Sequence, residues 1–347
     1  MRACVLTATG GLEHLQITDV PDAPAPQAGE VRVAIRAAAL NHLDLFVAEG
    51  LPGGADRFPH VVGADGAGVV ESVGARVTTV RAGDRVLLNP GISDYTCEFC
   101  LAGEHSLCVN YRLLGEHLPG TMAQLVTLPA SNVARMPVRS PEVTWAEGAA
   151  FSLVTLTAWR MVVTRAQLKA GETVLIWGIG GGVSLAALQI AKLLGARAIV
   201  TSSHDAKLAE ARRLGADVTI NHRTQKVSQE VRAVTQKRGV EVVVENVGEA
   251  TWDESLRCLK RGGRLVTCGA TSGPQVGMDL RRVFWHHYSI MGSTMGNARE
   301  YAEIVQRLGE GQLRPIVDKV FPMTDARNAY ERLQKGEQLG KVVVEVS

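Results

Sequence analysis

The sequence predicts an α/β protein of two domains, one β-rich and one a doubly wound parallel sheet. Three observations predict it. Thr173 to Ala196 reads as a strand (TVLIW), a glycine loop (GIGGG) and a helix (VSLAALQIAKLLGA) with apolar residues at three- and four-residue spacing. After about Pro141 helical and β patterns alternate, which implies parallel strands with helices on both faces. Before it, short β patterns punctuated by Gly and Pro imply a compact antiparallel, barrel-like unit.

Taken in order, the first unit offers ACVLTA, VRVAIRAAAL, GAGVVESVG, DRVLLN and AQLVTLP, interrupted by PDAPAPQAGE and GLPGG. The run EVTWAEGAAFSLVTLTAWRMVV reads as helix, as does DAKLAEARRLGA. The strands of the second unit are TVLIWG, ARAIVTS, DVTINH, VEVVVENVG, GRLVTCG and YSIMGST. After about Asn297 a helix (REYAEIVQRLGEG) and two β segments (VDKVFP, KVVVEV) return to the first unit. The expected domains are therefore 1–150, completed by about 297–347, and 151–296.

The chain has 347 residues and a net charge of +2, enough length for two full cores and no basic stripe of the kind nucleic acid attracts. No apolar run approaches the ~20 residues of a membrane span, and MRACVLTATGG reads as a strand and turn rather than a signal. A cytoplasmic protein is expected. Three of its six cysteines (Cys97, Cys100, Cys108) cluster within a dozen residues, which in that compartment points to metal rather than disulfides. Cys4, Cys258 and Cys268 sit in apolar contexts and read as core.

Strand, glycine loop and helix together form the phosphate-cradling turn of a dinucleotide-binding unit, where the backbone and the helix N-terminus meet a pyrophosphate. Gly178, Gly180, Gly181 and Gly182 supply the loop, but Val183 stands where the fingerprint has its third glycine. An ordinary tight turn is the alternative.

These residues add up to a family. The chain resembles the medium-chain dehydrogenase/reductase superfamily over nearly its whole length, in its zinc-binding alcohol dehydrogenase-like and quinone oxidoreductase-like branch. The resemblance is carried by PAPQAGEVRV, AAALNHLDL, GADGAGVVESVG, AGDRVLLNP, the lobe Asp94–Cys108, TAW, the glycine loop, ENVG, GGRLVTCGA and GKVVVEV. It implies a GroES-like catalytic domain, a Rossmann domain and nicotinamide-dependent hydride transfer.

It also implies site residues. The family's structural zinc lobe has four cysteines; here Cys97, Cys100 and Cys108 fit three positions and Asp94 the first. Zinc accepts a carboxylate oxygen among thiolates, so a structural site of lower affinity is expected, with a metal-free lobe as the alternative. The family's catalytic zinc ligands fall on Asn41, the Gly63-Ala64-Asp65 segment and Leu153, none of them a thiolate or imidazole at the expected place. Leu43 replaces the hydroxyl that starts the family's proton relay. Without a Lewis acid, easy alcohol oxidation is not expected. Asn41 is expected to donate to an oxygen that gains charge during hydride transfer, with a turn or cap role as the alternative. Asp44 is expected to orient its loop or the cofactor edge and Asp65 to pair with a nearby base. His42 and His60, with Asp44 or Asp65, are the alternative metal ligands.

Ser202 takes the place of the acidic residue that binds the NAD ribose. With Ser203, Lys207, His222 and Arg223 it favours NADPH over NADH, because a 2′-phosphate wants donors and positive charge. Asp205 is the counter-argument, and Lys207 reads equally as a solvated first-turn residue. The resemblance adds Thr157, Asn246, Val247, Gly248, Gly269, Ala270, Ser293, Thr294 and Lys341 as cofactor contacts. It implies a homodimer or tetramer acting on a small molecule. The leading expectation is an NADPH-dependent reductase of quinones, enones or related conjugated carbonyls without catalytic zinc. The alternatives are an alcohol dehydrogenase or aldehyde reductase with an unorthodox metal site, and a non-catalytic nucleotide-binding regulator.

Overall fold

The structure, a computed structural model, describes residues 1–139 and 141–346. The chain divides into two compact units, Met1–Leu153 with Gly296–Ser347, and Val154–Met295.

The first unit opens with β1 (Arg2–Leu6), β2 (Leu15–Asp19) and β3 (Glu30–Ala39), followed by α1 (His42–Glu49), β4 (His60–Val61) and β5 (Asp65–Val73). Then come β6 (Arg85–Leu88), β7 (Gly91–Ile92), α2 (Glu98–Leu101), β8 (Arg112–Leu113), β9 (Leu125–Pro129), β10 (Val133–Arg135) and α3 (Trp145–Ala149). α4 (Ser152–Trp159) leads into the second unit, which alternates β11 (Thr173–Ile176), α5 (Gly182–Leu193), β12 (Arg197–Ser202), α6 (Asp205–Arg213), β13 (Val218–Asn221) and α7 (Val227–Val234). It continues with β14 (Val240–Glu245), α8 (Trp252–Cys258), β15 (Leu259–Thr267), α9 (Leu280–His286) and β16 (Ser289–Gly292). The chain returns to the first unit through α10 (Ala298–Gly309), β17 (Val317–Pro322), α11 (Ala326–Gln334) and β18 (Lys341–Glu345).

In the first unit the main sheet runs β10-β6-β5-β3-β18-β17, with β9 also on β3, and a smaller sheet runs β2-β1-β4. β3 alternates between buried and more exposed positions until Ala37–Ala39, where both faces are covered. Small side chains there let β5 and β18 pack closely on either side. Leu6, Leu40, Leu88, Met122, Leu128 and Tyr330 are among the fully buried side chains of this core.

In the second unit all six strands pair in parallel in the order β13-β12-β11-β14-β15-β16. The central strands β11, β12 and β14 are buried almost throughout, with apolar centres, as a sheet covered by helices on both faces requires. The order reverses between β11 and β12 on one side and β14 on the other, and in such sheets ligands bind beyond the carboxyl ends at that point. The EVTWAEGAAFSLVTLTAWRMVV run is not one helix: α3 ends at Ala149, α4 starts at Ser152, and residues 160–165 form a π-helical turn. Gly148 lets α3 press against the sheet: a Cβ there would stand 3.0 Å from the Ala67 Cβ and the Leu87 Cδ2.

Candidate active site

The sheet register builds the first cluster. β5 sets Asp65 opposite Ala39, and β18 sets Val343 opposite the same residue. Continued by two residues, the antiparallel register of β18 puts Lys341 beside Asn41 at the start of α1. Gly63 makes the approach to Asp65 possible: its φ is +96°, and a Cβ would stand 2.9 Å from the Thr121 Oγ1 and the Met122 Cγ. Thr121 Oγ1 donates to the Asp65 carbonyl at 2.7 Å and holds that turn.

Asp65 is fully buried, and its carboxylate accepts three hydrogen bonds: from Leu153 N–H at 2.9 Å, Asn41 Nδ2 at 3.0 Å and Lys341 Nζ at 3.0 Å. Lys341 Nζ also donates to Asn41 Oδ1 at 2.5 Å. The three positions that resemblance assigns to a catalytic metal site thus supply an amide, a carboxylate and a main-chain N–H, and the Lys341 ammonium joins them. Asp44 accepts Asn41 N–H at 2.7 Å, and burial pushes its carboxyl up to about 7 against the lowering effect of that bond and of Lys341.

This geometry corrects one expectation. The Asn41 amide does not stand free to meet an oxyanion: its Nδ2 donates to Asp65 and, at 3.4 Å, to the Ala39 carbonyl. It is the N-cap residue of α1 by position, yet its side chain braces Asp65 and Lys341. Lys341, grouped by resemblance with the cofactor contacts, directs its ammonium to this cluster. His60 Nε2 is bonded to the Gly115 carbonyl at 3.1 Å, and burial lowers the pKa of both His42 and His60. Among the described residues the group of three or more His, Cys, Asp or Glu side chains with metal-ligand spacing lies elsewhere.

That group is Asp94, Cys97, Cys100 and Cys108, whose ligand atoms all lie within 4.8 Å of one another. The lobe is wound from an Asx turn and the short α2. Asp94 Oδ1 accepts from Thr96 and Cys97 N–H at 2.8 and 2.9 Å, and Oδ2 from Asn110 Nδ2 at 2.8 Å. These donors hold its carboxyl far below the usual carboxylate range. A carboxylate has about four lone-pair sites, so Oδ2 keeps room for one coordination bond. Cys108 Sγ accepts N–H bonds from Asp94 and Asn110, and N–H groups at Cys100 and Val109 lower the Cys97 pKa. Burial raises the Cys100 thiol to about 12, and a metal must displace that proton. Three thiolates and one hard oxygen at this spacing fit zinc.

In the second unit Gly178 takes φ +64° to turn from β11 into the loop, and α5 begins at Gly182 with Gly181 as its N-cap. The first N–H groups of a helix lack partners within it and face an anion. Gly180 lies inside this loop, and Val183 stands in the first turn of α5, in place of a third glycine. Ser184, in that same turn, donates to the Trp177 carbonyl at 2.6 Å and accepts from Asn246 Nδ2 at 2.9 Å, which ties the loop to the end of β14. Glu245 was missed by sequence reasoning. Fully buried, it accepts from Val247 and Gly248 N–H and from the Thr251 and Ser255 hydroxyls, and so fixes the loop after β14. An acid directly after the apolar Val242–Val244 run, at the carboxyl end of the strand, is the signal that could have found it.

At the end of β12, Ser202 Oγ accepts from His204 N–H at 3.2 Å and Ser203 Oγ pairs with His204 Nδ1 at 2.9 Å. Asp205 accepts from Asn221 Nδ2 at 2.8 Å, so it is held by β13. Lys207 lies in the first turn of α6. His222 packs near Trp177, with ring centroids 6.1 Å apart, and burial lowers its pKa. Trp177, His222, Lys226, Val247, Thr251 and Glu254 line a cavity of about 430 Å³. The buried Trp177 Nε1 and Ser293 Oγ have no hydrogen-bond partner. Thr157 Oγ1 lies 3.6 Å from the Met295 Sδ, Gly269 O accepts from the Thr267 hydroxyl, and Ala270 and Thr294 occupy the loops after β15 and β16. Unpartnered donors, a glycine loop and a helix N-terminus at strand ends fit a dinucleotide.

Residues 182–310 match the zinc-binding dehydrogenase family, and residues 27–138 the alcohol dehydrogenase GroES-like domain. The acryloyl-coenzyme A reductase of Metallosphaera sedula is 30% identical over 99% of both chains. The chain belongs to the medium-chain dehydrogenase/reductase superfamily. Another member, the NAD-dependent alcohol dehydrogenase of Sulfolobus acidocaldarius, is 31% identical over the full length of both chains. The crystal structure of a further superfamily member, described as an NAD-dependent alcohol dehydrogenase, superposes with a TM-score of 0.95 at 42% identity over the whole of both chains. The β-rich first unit and the parallel-sheet second unit are the GroES-like and Rossmann domains of this superfamily.

Proposed function

We propose that this medium-chain oxidoreductase is an NADPH-dependent reductase of conjugated carbonyl compounds (enones, quinones or unsaturated thioesters) that works without a catalytic metal. The carrying observation is the Asn41–Asp65–Lys341 cluster with Leu153 N–H, which stands where a metal-dependent relative would need thiolate and imidazole. A bound nicotinamide supplies the hydride. The chain's own residues would then hold the cofactor, orient the acceptor and stabilise negative charge on oxygen. Conjugated acceptors carry their own electrophilicity and do not need a Lewis acid to form an alkoxide. The relative named acryloyl-coenzyme A reductase supports this acceptor class.

Ser202 and Ser203 at the end of β12, with Lys207, His222 and Arg223 nearby and Asp205 bonded to Asn221, favour a 2′-phosphate. Asp94, Cys97, Cys100 and Cys108 would hold one zinc as a brace for their lobe. The relatives named alcohol dehydrogenases favour a second reading, in which a simple alcohol or aldehyde is the substrate.

One experiment separates the two: NADPH oxidation with a panel of enones, quinones and unsaturated thioesters, NADP⁺ reduction with primary alcohols, and a zinc count on the same sample. Turnover of a conjugated carbonyl, negligible alcohol oxidation and about one zinc per chain are expected. Robust alcohol oxidation with two zincs per chain would overturn the proposal.

A further inference from the structure

We infer that Lys341 is a catalytic residue: its buried ammonium polarises the substrate's carbonyl oxygen, the electrostatic task that a metal ion performs in metal-dependent relatives. The inference rests on the reading of the site as the place where a carbonyl is reduced.

Three observations carry it. The register of β18 against β3 delivers Lys341 to Asn41 and Asp65, and its side chain is only 4% exposed. A lysine taken out of water needs a reason, because a buried charge is costly unless it is paired. Here it is paired, and the pairing is incomplete. An ammonium has three N–H donors; one goes to Asn41 Oδ1 and one to Asp65 Oδ2, so a third remains for a ligand. Finally, Asn41 offers no substitute. Its oxygen accepts from Lys341 and its Nδ2 faces Asp65 and Ala39, so Lys341 is the donor that this cluster has left.

The rest of the cluster keeps Lys341 charged and aimed. Asp65 supplies the countercharge and is itself fixed by Leu153 N–H. Asn41 is fixed in turn by Asp44, which accepts its main-chain N–H. A preorganised charge in a dry site needs no reorganisation when the substrate's charge develops.

The step balances as follows. The conjugated double bond accepts a hydride, with its two electrons, at the β-carbon; the reductant is the reduced nicotinamide. The π pair of the double bond shifts toward the carbonyl, whose oxygen becomes negative and accepts the third N–H of Lys341. A proton from water then goes to the α-carbon, the carbonyl re-forms, and Lys341 keeps its own proton.

The test uses K341M and K341R, each checked for its fold by circular dichroism. Three quantities are read: the dissociation constant for NADPH, kcat on the best acceptor found, and the infrared carbonyl stretch of a bound, non-reacting enone. K341M is expected to bind NADPH within about threefold of wild type while kcat falls by about 10²-fold or more, the usual loss for one oxyanion donor. The carbonyl stretch, lowered in wild type, should return toward its value in water; K341R should keep part of both effects. The inference is overturned if K341M turns over like wild type, or if kcat falls only in step with NADPH affinity while the stretch stays put. If K341M does not fold, K341R and K341Q decide, with the neutral donor of K341Q giving the smaller shift and lower kcat. A wild type that reduces only simple aldehydes would refute the conjugated-carbonyl proposal alone, since the same variants read on an aldehyde still test Lys341.

Discussion

Asp44 carries a prediction about pH. Its carboxyl is pushed from an ordinary 3.8 up to about 7, mainly by burial. The folded protein therefore keeps a proton that the unfolded chain sheds near pH 4. This contribution favours the fold at low pH and is lost as pH rises from about 4 toward 7. D44N removes the titration and one acceptor oxygen. Its stability deficit against wild type, read from urea midpoints, should shrink as pH rises through that window; a deficit independent of pH would show that Asp44 is already ionised. Asn41 braces two buried charges, so N41A should lower kcat by about 10- to 100-fold and destabilise the fold by roughly 1–3 kcal/mol, the cost of leaving buried polar groups short of partners. Kinetics and thermal denaturation on one sample check both. At the end of β12, S202D should weaken NADPH and strengthen NADH, and a wild type that binds NADH more tightly would defeat the cofactor assignment. Sequence alone named Asn41, Asp44 and Asp65 as one candidate site and placed Lys341 apart from them, among the cofactor contacts that the resemblance implies. Lys341 lies 300 residues from Asn41, and only a sheet register brings the two together.

At the level of elements, short apolar runs such as Val174–Trp177, Ala198–Val200 and Val242–Val244 made the strands of the parallel sheet legible, because the centre of a strand covered on both faces has no polar side to confuse it. Helices were less so. α7 was passed over although Val227, Val231 and Val234 recur at helical spacing; eight residues, half of them polar, give a faint signal. α9 has Leu280, Val283 and Phe284 at helical spacing but buries none of its seven residues, and so short a run gives a faint signal. β15 begins at Leu259, ahead of the GRLVTCG run, because it leaves α8 directly and takes a bulge against β14 near Val240. The cluster of Asp94, Cys97, Cys100 and Cys108 was legible from its cysteine spacing, but the three N–H donors on Asp94 were not. They bear on a prediction. If Asp94 is a ligand, D94C should hold zinc more tightly and release it more slowly to a chelator, and D94A should release it faster. Equal release rates for wild type and D94A would make Asp94 a turn residue only.

At the scale of the molecule, β16 is the edge of the parallel sheet and, among the described residues, pairs only with β15. Beside it in sequence, α9 exposes Leu280, Phe284 and Trp285, each about two-thirds accessible. Such an edge with apolar neighbours invites pairing, and two-fold closure is the commonest way to satisfy it. A dimer or dimer of dimers is therefore expected by light scattering at micromolar concentration. Replacing Phe284 and Trp285 by Glu should shift the population toward monomer without unfolding it. A wild-type monomer would refute the expectation.

The return of the chain to its first unit also sets an order of events during synthesis. Ala37–Ala39 of β3 wait for Val343–Glu345, and the whole of Val154–Met295 is made in between. At roughly 5–20 residues per second that wait lasts roughly 15–60 seconds. The inserted unit is continuous and can fold during it. The half-built sheet meanwhile shows an open strand edge, and Asp65 and Asn41 have no ammonium between them. A nascent chain stalled before residue 341 should thus display a finished nucleotide-binding fold beside a protease-sensitive, chaperone-seeking partner half.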